Sequence, residues 1–322
     1  MKPETSLSRR HFTYGAAAAL ALAGSGRAFA QDSTPNSDQS EIAPQLPAVD
    51  LPDMNEQGFL YNFESTWKGS FDSLPTEASV IRMDVDAYDK DRTAALAAKL
   101  GIVGDVTDQG AGSFEVSSDT GNLFVTPGLQ QYVSTAKEED GDLPSDDQAL
   151  AYAREWLRQT ALLPADAGDG IILARVDNPA RVVVAIEPIR PGNLISLYPS
   201  ITVTMGKNGL ILEAAFRWSN LTAEETYALR PAAEAWNDIA SQASAVQADL
   251  PSDFTDPGAT VNGKATYTKA DIAYSTSGQP GQTQYLQPVY VFTGTVRPDG
   301  ADKDYTLSAY VPALVNSQQP VG

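Results

Sequence analysis

Hydrophobic and polar positions alternate with a period of two along most of the chain from about residue 78 onward, and three stretches carry a helical period instead. In "ASVIRMDVDAYDKDRTAALAAKLGI", Ile81, Met83 and Val85 alternate with Arg82, Asp84 and Asp86, which predicts a half-buried strand. Asp91 is then placed to cap a short helix with Leu96, Ala97 and Leu100 on one face, ended by Gly101. "SFEVSSDTGNLFV" reads as two short strands around an Asp-Thr-Gly-Asn turn. Ser145 and Gln148 have capping-box spacing, and Leu150, Ala153, Trp156, Leu157 and Ala161 follow at helical intervals. "GIILARV" and "RVVVAIE" flank an Asp-Asn-Pro turn, and "ITVTM" and "LILEAAFRW" flank Lys207-Asn208-Gly209, so two hairpins are predicted.

The plan then repeats. Pro231 suits the first turn of a helix whose apolar stripe is Trp236, Ile239, Ala240 and Ala243. Three strands follow it, "KATYTKADIAYST", "YLQPVYVFTGTV" and "DYTLSAYVPAL". The middle one is apolar on both faces, Val289 and Val291 against Tyr290 and Phe292, and is expected to be covered on both sides. The expected fold class is therefore α+β, two to three repeated units of one helix packed on an antiparallel sheet, over residues 56–137, 138–225 and 226–322.

The N-terminal 55 residues lack this periodicity. Ser8, Arg9, Arg10, His11 and Phe12 match a twin-arginine export pattern, and the Ala-rich run behind them is too short and weakly apolar to span a bilayer. Ala28-Phe29-Ala30 is an A-x-A cleavage site, so residues 1–30 read as a signal peptide that leaves Gln31 as the first mature residue. Residues 31–55 are rich in Ser, Pro, Asp, Asn and Gln and read as a disordered linker. The expected destination is extracellular or periplasmic, with no stable membrane span in the mature form.

Charge and composition narrow the chemistry. The chain holds 22 Lys and Arg against 41 Asp and Glu, a net charge of −19. Residues 1–30 carry four cations and one anion, so their loss takes the balance to about −22. Such a surface repels nucleic-acid phosphates, and no nucleic-acid partner is expected. There is no cysteine, and the one histidine, His11, lies in the signal. A Ser-His-Asp triad, a thiol nucleophile and the usual zinc ligand sets are thereby closed to the mature chain.

Two oxygen-based chemistries stay open. Glu187, ending "RVVVAIE", and Glu213, inside "LILEAAF", are the candidate pair for a carboxylate-based hydrolase acting on glycans. Asp84, Asp86, Asp89 and Asp91 crowd one stretch, but Ala95 stands where a calcium-binding EF-hand needs its Glu. Calcium binding is left open there, and the plain alternative is a solvated strand end plus a helix cap. Tyr285, Tyr290 and Tyr310 are the candidate partner-binding aromatics, with core or cross-strand pairing as their alternative.

The strand, Asn-Gly turn and strand of "ITVTMGKNGLILEA", preceded by a helix, resemble the PepSY-type domain, and "YLQPVYVFTG" with "YVPAL" resembles the closing strands of YycH/YycI-type regulatory proteins. The likeness runs over about residues 140–315, with 59–133 as a weaker relative. It implies a PepSY/cystatin-like, extracytoplasmic, non-enzymatic module that regulates or inhibits another protein. The sequence lacks the membrane anchor of the sensor-kinase regulators, which puts that particular partner in doubt. The expected function is a secreted binding or regulatory module for a protein or peptide partner, without cofactor or metal. A carboxylate-based hydrolase is the alternative.

Overall fold

Local rules set the helices. The N-cap of α1 (Lys90–Lys99) is Asp89, whose carboxylate accepts from the Arg92 amide at 2.8 Å, two residues earlier than the expected Asp91. In α2 (Asp146–Gln159) both bonds of the expected capping box form between Ser145 and Gln148. Pro231 precedes α3 (Ala232–Ala240), which buries Ala232, Ala235 and Ile239. The computed structural model describes residues 46–52, 59–196, 198–242, 244–251, 253–256, 258–278 and 283–314. The export-signal residues Arg9, Arg10, Phe12, Ala28, Ala30 and Gln31 lie outside them.

Strands dominate. The described residues form two large sheets and three α-helices. One sheet has eight strands: β3 (Val106–Gly110), β4 (Ser113–Ser118), β5 (Gly121–Thr126), β6 (Leu129–Ser134), β7 (Ile171–Asp177), β8 (Ala180–Ile186), β9 (Ser200–Met205) and β10 (Ile211–Arg217). Their spatial order is 3-4-5-6-10-9-8-7. A single register row crosses all eight: Val106, Val116, Leu123, Tyr132, Ala214, Val203, Val184 and Ile172. Every member of that row packs in one core with Leu96 and Ala97 of α1 and Ala149, Ala153 and Leu157 of α2. Both helices therefore cover the same face.

The second sheet has seven strands, β1 (Leu60–Trp67), β2 (Glu77–Asp84), β11 (Asn220–Ala228), β12 (Ala245–Ala248), β13 (Thr260–Ser277), β14 (Gln284–Pro298) and β15 (Tyr305–Pro312). Five run in the order β1-β13-β14-β15-β12. The start of β14 also pairs with β2, and β2 pairs with β11. β1 is parallel to β13 although some 200 residues separate Leu60 from its partner Thr260. Asp84 and Asn220 are partners across β2 and β11. The eight-stranded sheet is thus an excursion of the chain that leaves and returns at adjacent points.

The expected repeated helix-on-sheet units are corrected by this topology. The protein is mostly β: two helices share one sheet, and strands from the first expected stretch join those of the last. Alternation along a strand fixes which face is buried but not which strand lies beside it, and β1 and β2 find their partners far along the chain. The middle of β14 is buried on both faces, with Val289, Tyr290, Val291 and Phe292 all 6% exposed or less. The Lys207-Asn208-Gly209 segment is a 3-10 turn with Asn208 at φ 56° and Gly209 at φ 73°. A Cβ at Gly209 would also collide with the Tyr152 ring.

Residues at the end of the expected linker are tied to the sheet. Asp50 donates its amide to the Thr276 carbonyl at 2.7 Å, Gln287 Nε2 donates to the Pro47 carbonyl at 2.6 Å, and Val49 forms an antiparallel bridge with Ser277. A polar, Pro-rich composition concealed this because the bonds are made by the main chain, which any sequence supplies.

Candidate functional site

Tyr285 and Tyr290 are both in β14 but an odd number of residues apart, so they face opposite sides of the sheet. Tyr290 is 1% exposed, and its hydroxyl donates to the Arg230 carbonyl at 2.8 Å. Tyr310 in β15 pairs with Val291, which puts it on the side away from Tyr290, half-buried and 3.4 Å from Gln247 Oε1. Burial pushes the phenol pKa of Tyr290 and Tyr310 up.

The two carboxylates are also apart. Glu213 pairs with Thr204, which pairs with Val183, whereas Glu187 lies four residues further along and two strands away. Strand geometry then puts their Cα atoms about 16 Å apart, on strands that are not neighbours, and nothing brings the two carboxyls together as the acid and base of glycoside hydrolysis are.

The acidic stretch before α1 is largely occupied by its own neighbours. Arg82 donates to both oxygens of Asp84 at 2.9 and 3.2 Å, and Thr222 Oγ1 lies 3.4 Å from Asp84 Oδ2. Asp86 pairs with Arg92 at 2.9 Å, and the Arg92 guanidinium sits 5.1 Å from the centre of the Tyr88 ring. Asp89 is the helix cap. Among the described residues no group of three or more His, Cys, Asp or Glu is placed to hold a metal ion. Asp84, Asp86 and Tyr88 instead border a crevice of about 130 Å³ with Gln130, Phe216 and Trp218, where the two sheets meet.

A second concavity combines more features of a binding site. β1 and β12 end the five-strand path, yet they line the same cleft, so the sheet curls until its two terminal strands face each other. Its volume is about 170 Å³. Phe59, Tyr61 and Phe63 form one wall, Ile239 of α3 and Val246 of β12 the other, and Tyr267 of β13 also lines it. Two contacts hold the rims together: Gln242 Nε2 donates to Asn62 Oδ1 at 2.8 Å, and the Ala248 main chain hydrogen-bonds the Tyr61 hydroxyl. Burial raises the Tyr61 pKa, and that bond offsets part of the rise.

Aromatic packing fixes the cleft from behind. The rings of Tyr267 and Trp236 meet edge to face at 5.4 Å, and Trp236 also packs against Phe292 and Trp67 at 6.0 and 5.8 Å. Tyr267 is wholly buried, and desolvation pushes its phenol pKa far above 10, with Ser65 beside the hydroxyl pulling it back in part. None of the residues that line the cleft is a site candidate in the sequence. The alternation of Tyr61, Phe63 and Trp67 with Asn62, Glu64 and Thr66 marks a strand, but nothing local points β1 at β12.

No protein-family profile matches the chain, and no curated protein matches it. Among solved structures it is similar to an uncharacterized protein from Eubacterium rectale, at 9% identity over 82% of this chain and 91% of that one, with a TM-score of 0.42. It is also similar to the Bacillus megaterium YpeB C-terminal domain, at 11% identity over 71% of this chain and 95% of that one, with a TM-score of 0.37. Likenesses at this level assign neither a family nor an activity.

Proposed function

We propose that the protein is a non-enzymatic binding module that engages a protein or peptide partner outside the cytoplasm, through the cleft between β1 and β12. The observation that carries this reading is an apolar, aromatic-walled cleft beside a terminal strand. An extended segment laid along such an edge gains main-chain hydrogen bonds and sets alternate side chains into adjacent pockets. The acidic balance of the chain favours a partner with basic flanking residues. The twin-arginine pattern and the PepSY-like resemblance read in the sequence supply the extracytoplasmic and regulatory parts of the proposal. The wide separation of Glu187 and Glu213 weighs against the glycan hydrolase.

Selection of a random peptide library on the mature chain tests the reading. Enriched peptides are expected to share one apolar or aromatic position with basic neighbours. Their affinity is expected to fall at least ten-fold, about 1.4 kcal/mol, in Val246→Arg and to be unchanged in Val103→Arg, whose site is 87% exposed and away from the cleft. Peptides that bind both variants as they bind the parent chain would remove the cleft from the account.

A further inference from the structure

One register row of the eight-stranded sheet runs Val125, Gln130, Phe216, Ile201 and Ile186. Each member lies two residues along its strand from the core row of Leu123, Tyr132, Ala214, Val203 and Val184, so it faces the same, helix-covered side. Four of the five are buried and apolar, as that side demands, and the fifth is a glutamine that is only 8% exposed. Its carboxamide makes no hydrogen bond to another described residue. Unlike the Gln287 oxygen, its polar atoms are not sealed off, because Gln130 lines the crevice of about 130 Å³ where the two sheets meet. A buried amide without a partner costs stability that an apolar side chain would not, so its presence in this row marks a place for a group the chain does not itself supply.

The rest of the lining sets the chemistry of that group. Phe216, Trp218, Leu96 and Leu162 wall the crevice, and Asp84 and Asp86 stand at its mouth with side chains 48% and 56% exposed. No lysine or arginine lines it. Carboxylates beside aromatic faces attract a cation and repel an anion. Arg82 already holds both oxygens of Asp84, whereas Arg92 takes only Oδ2 of Asp86. A second guanidinium therefore finds no paired acceptors for its planar fork, while an ammonium needs only single ones, such as Asp86 Oδ1 and Gln130 Oε1. The volume is a little under the roughly 150 Å³ of an apolar cavity that admits benzene, which sets the occupant at about five or six non-hydrogen atoms.

Independently of the β1–β12 cleft, we propose that this crevice binds a primary ammonium group on a short apolar stem, the chemistry shared by a lysine side chain and a free alkylamine. The stem packs on Phe216 and Trp218, the ammonium donates to Gln130 Oε1, and the Asp86 carboxylate offsets part of the cost of taking the charge out of water. An alkylamine is protonated at neutral pH, so the charge is present when it binds. Asp84 of β2 and Asn220 of β11 belong to one sheet, and Gln130 and Phe216 to the other, so the occupant touches both.

Protein-observed NMR on the purified protein at neutral pH tests the proposal with n-butylammonium, tetramethylammonium, n-butanol and butyrate, read at the Gln130 side-chain amide and the Trp218 indole. n-Butylammonium is expected to bind roughly ten-fold more tightly than tetramethylammonium, which has the charge without an N–H, and than n-butanol, which has a donor without the charge. Butyrate is expected to shift neither resonance. Gln130→Leu is expected to erase the preference over tetramethylammonium and to leave the melting temperature unchanged or raised, because leucine completes the apolar row. A glutamine with a purely structural role would lower it. Asp86→Asn, at an exposed position, is expected to erase the preference over n-butanol. Lysine blocked as its Nα-acetyl methylamide separates the two sources: binding as tight as that of n-butylammonium assigns the crevice to a lysine side chain, and its exclusion assigns it to a free amine. Equal affinity for the four probes, a preference that survives Gln130→Leu, or a melting temperature that falls with that substitution would overturn the ammonium site.

Discussion

Phe292→Ala is expected to lower the stability of the protein by about 3–5 kcal/mol. Phe292 is wholly buried in β14, and its ring meets Trp67 edge-on at 5.7 Å, Trp236 at 6.0 Å and Tyr290 at 6.1 Å. Removing it deletes the common neighbour of three aromatic side chains from β1, α3 and β14. Large rings fixed by strands and a helix close such a gap poorly, so the cavity persists and its cost adds to the lost burial. Urea unfolding followed by tryptophan fluorescence measures the change, and a loss under about 1.5 kcal/mol would show that the cluster repacks.

The second large effect is alkaline instability. Burial raises the phenol pKa of Tyr61, Tyr88, Tyr267, Tyr274, Tyr290 and Tyr310 above 10. As pH passes about 10 the unfolded chain loses these protons while the folded chain keeps them, so the native state binds more protons and stability falls with rising pH. Below the unfolded value both states are protonated, and these groups add no pH dependence. The fully buried Tyr267, whose phenol is pushed furthest up, contributes a slope of about 1.4 kcal/mol per pH unit above that point, and the other five add to it in the same direction. Stability measured by urea unfolding is expected to be level between about pH 8 and 9.5 and to drop steeply from about pH 10 to 11. A flat profile across that range would show that the phenols ionise freely in the folded state.

What could be read in advance was local. The Ser145–Gln148 box was legible because a cap needs only residues three apart, and the two-sided burial of β14 because apolar residues occupied both phases of its alternation. Asp89 displaced Asp91 as the α1 cap, a choice between two carboxylates two residues apart that spacing does not decide. Sheet membership was beyond reach. β1 is a parallel neighbour of β13 some 200 residues away, and β2 and β11 close a loop containing the whole eight-stranded sheet. Helix-then-strand order along the chain therefore suggested separate units where the strands form two shared sheets.

The candidate site failed to appear in the sequence for the same reason. Tyr267 sits in a strand with ordinary alternation, and Ser244 follows a helix in a polar stretch. Only the curl that brings β12 across from β1 puts these residues around one cleft. Tyr285, Tyr290 and Tyr310 drew attention because aromatics stand out in strands, yet they are divided between the two sides of the sheet, with the Tyr290 hydroxyl bonded to the Arg230 main chain.

The cleft is tested most directly in the organism's own exported fraction, where the proposed function places the partner. A photocrosslinking benzophenone side chain replaces Leu60, which is 51% exposed on the cleft rim, and in a second chain replaces Val176, which is 41% exposed in β7 of the other sheet. The account predicts one specific protein or peptide adduct at position 60, suppressed when Val246→Arg is added, and none at position 176. An adduct at position 176 alone, or one at position 60 that survives Val246→Arg, would contradict it.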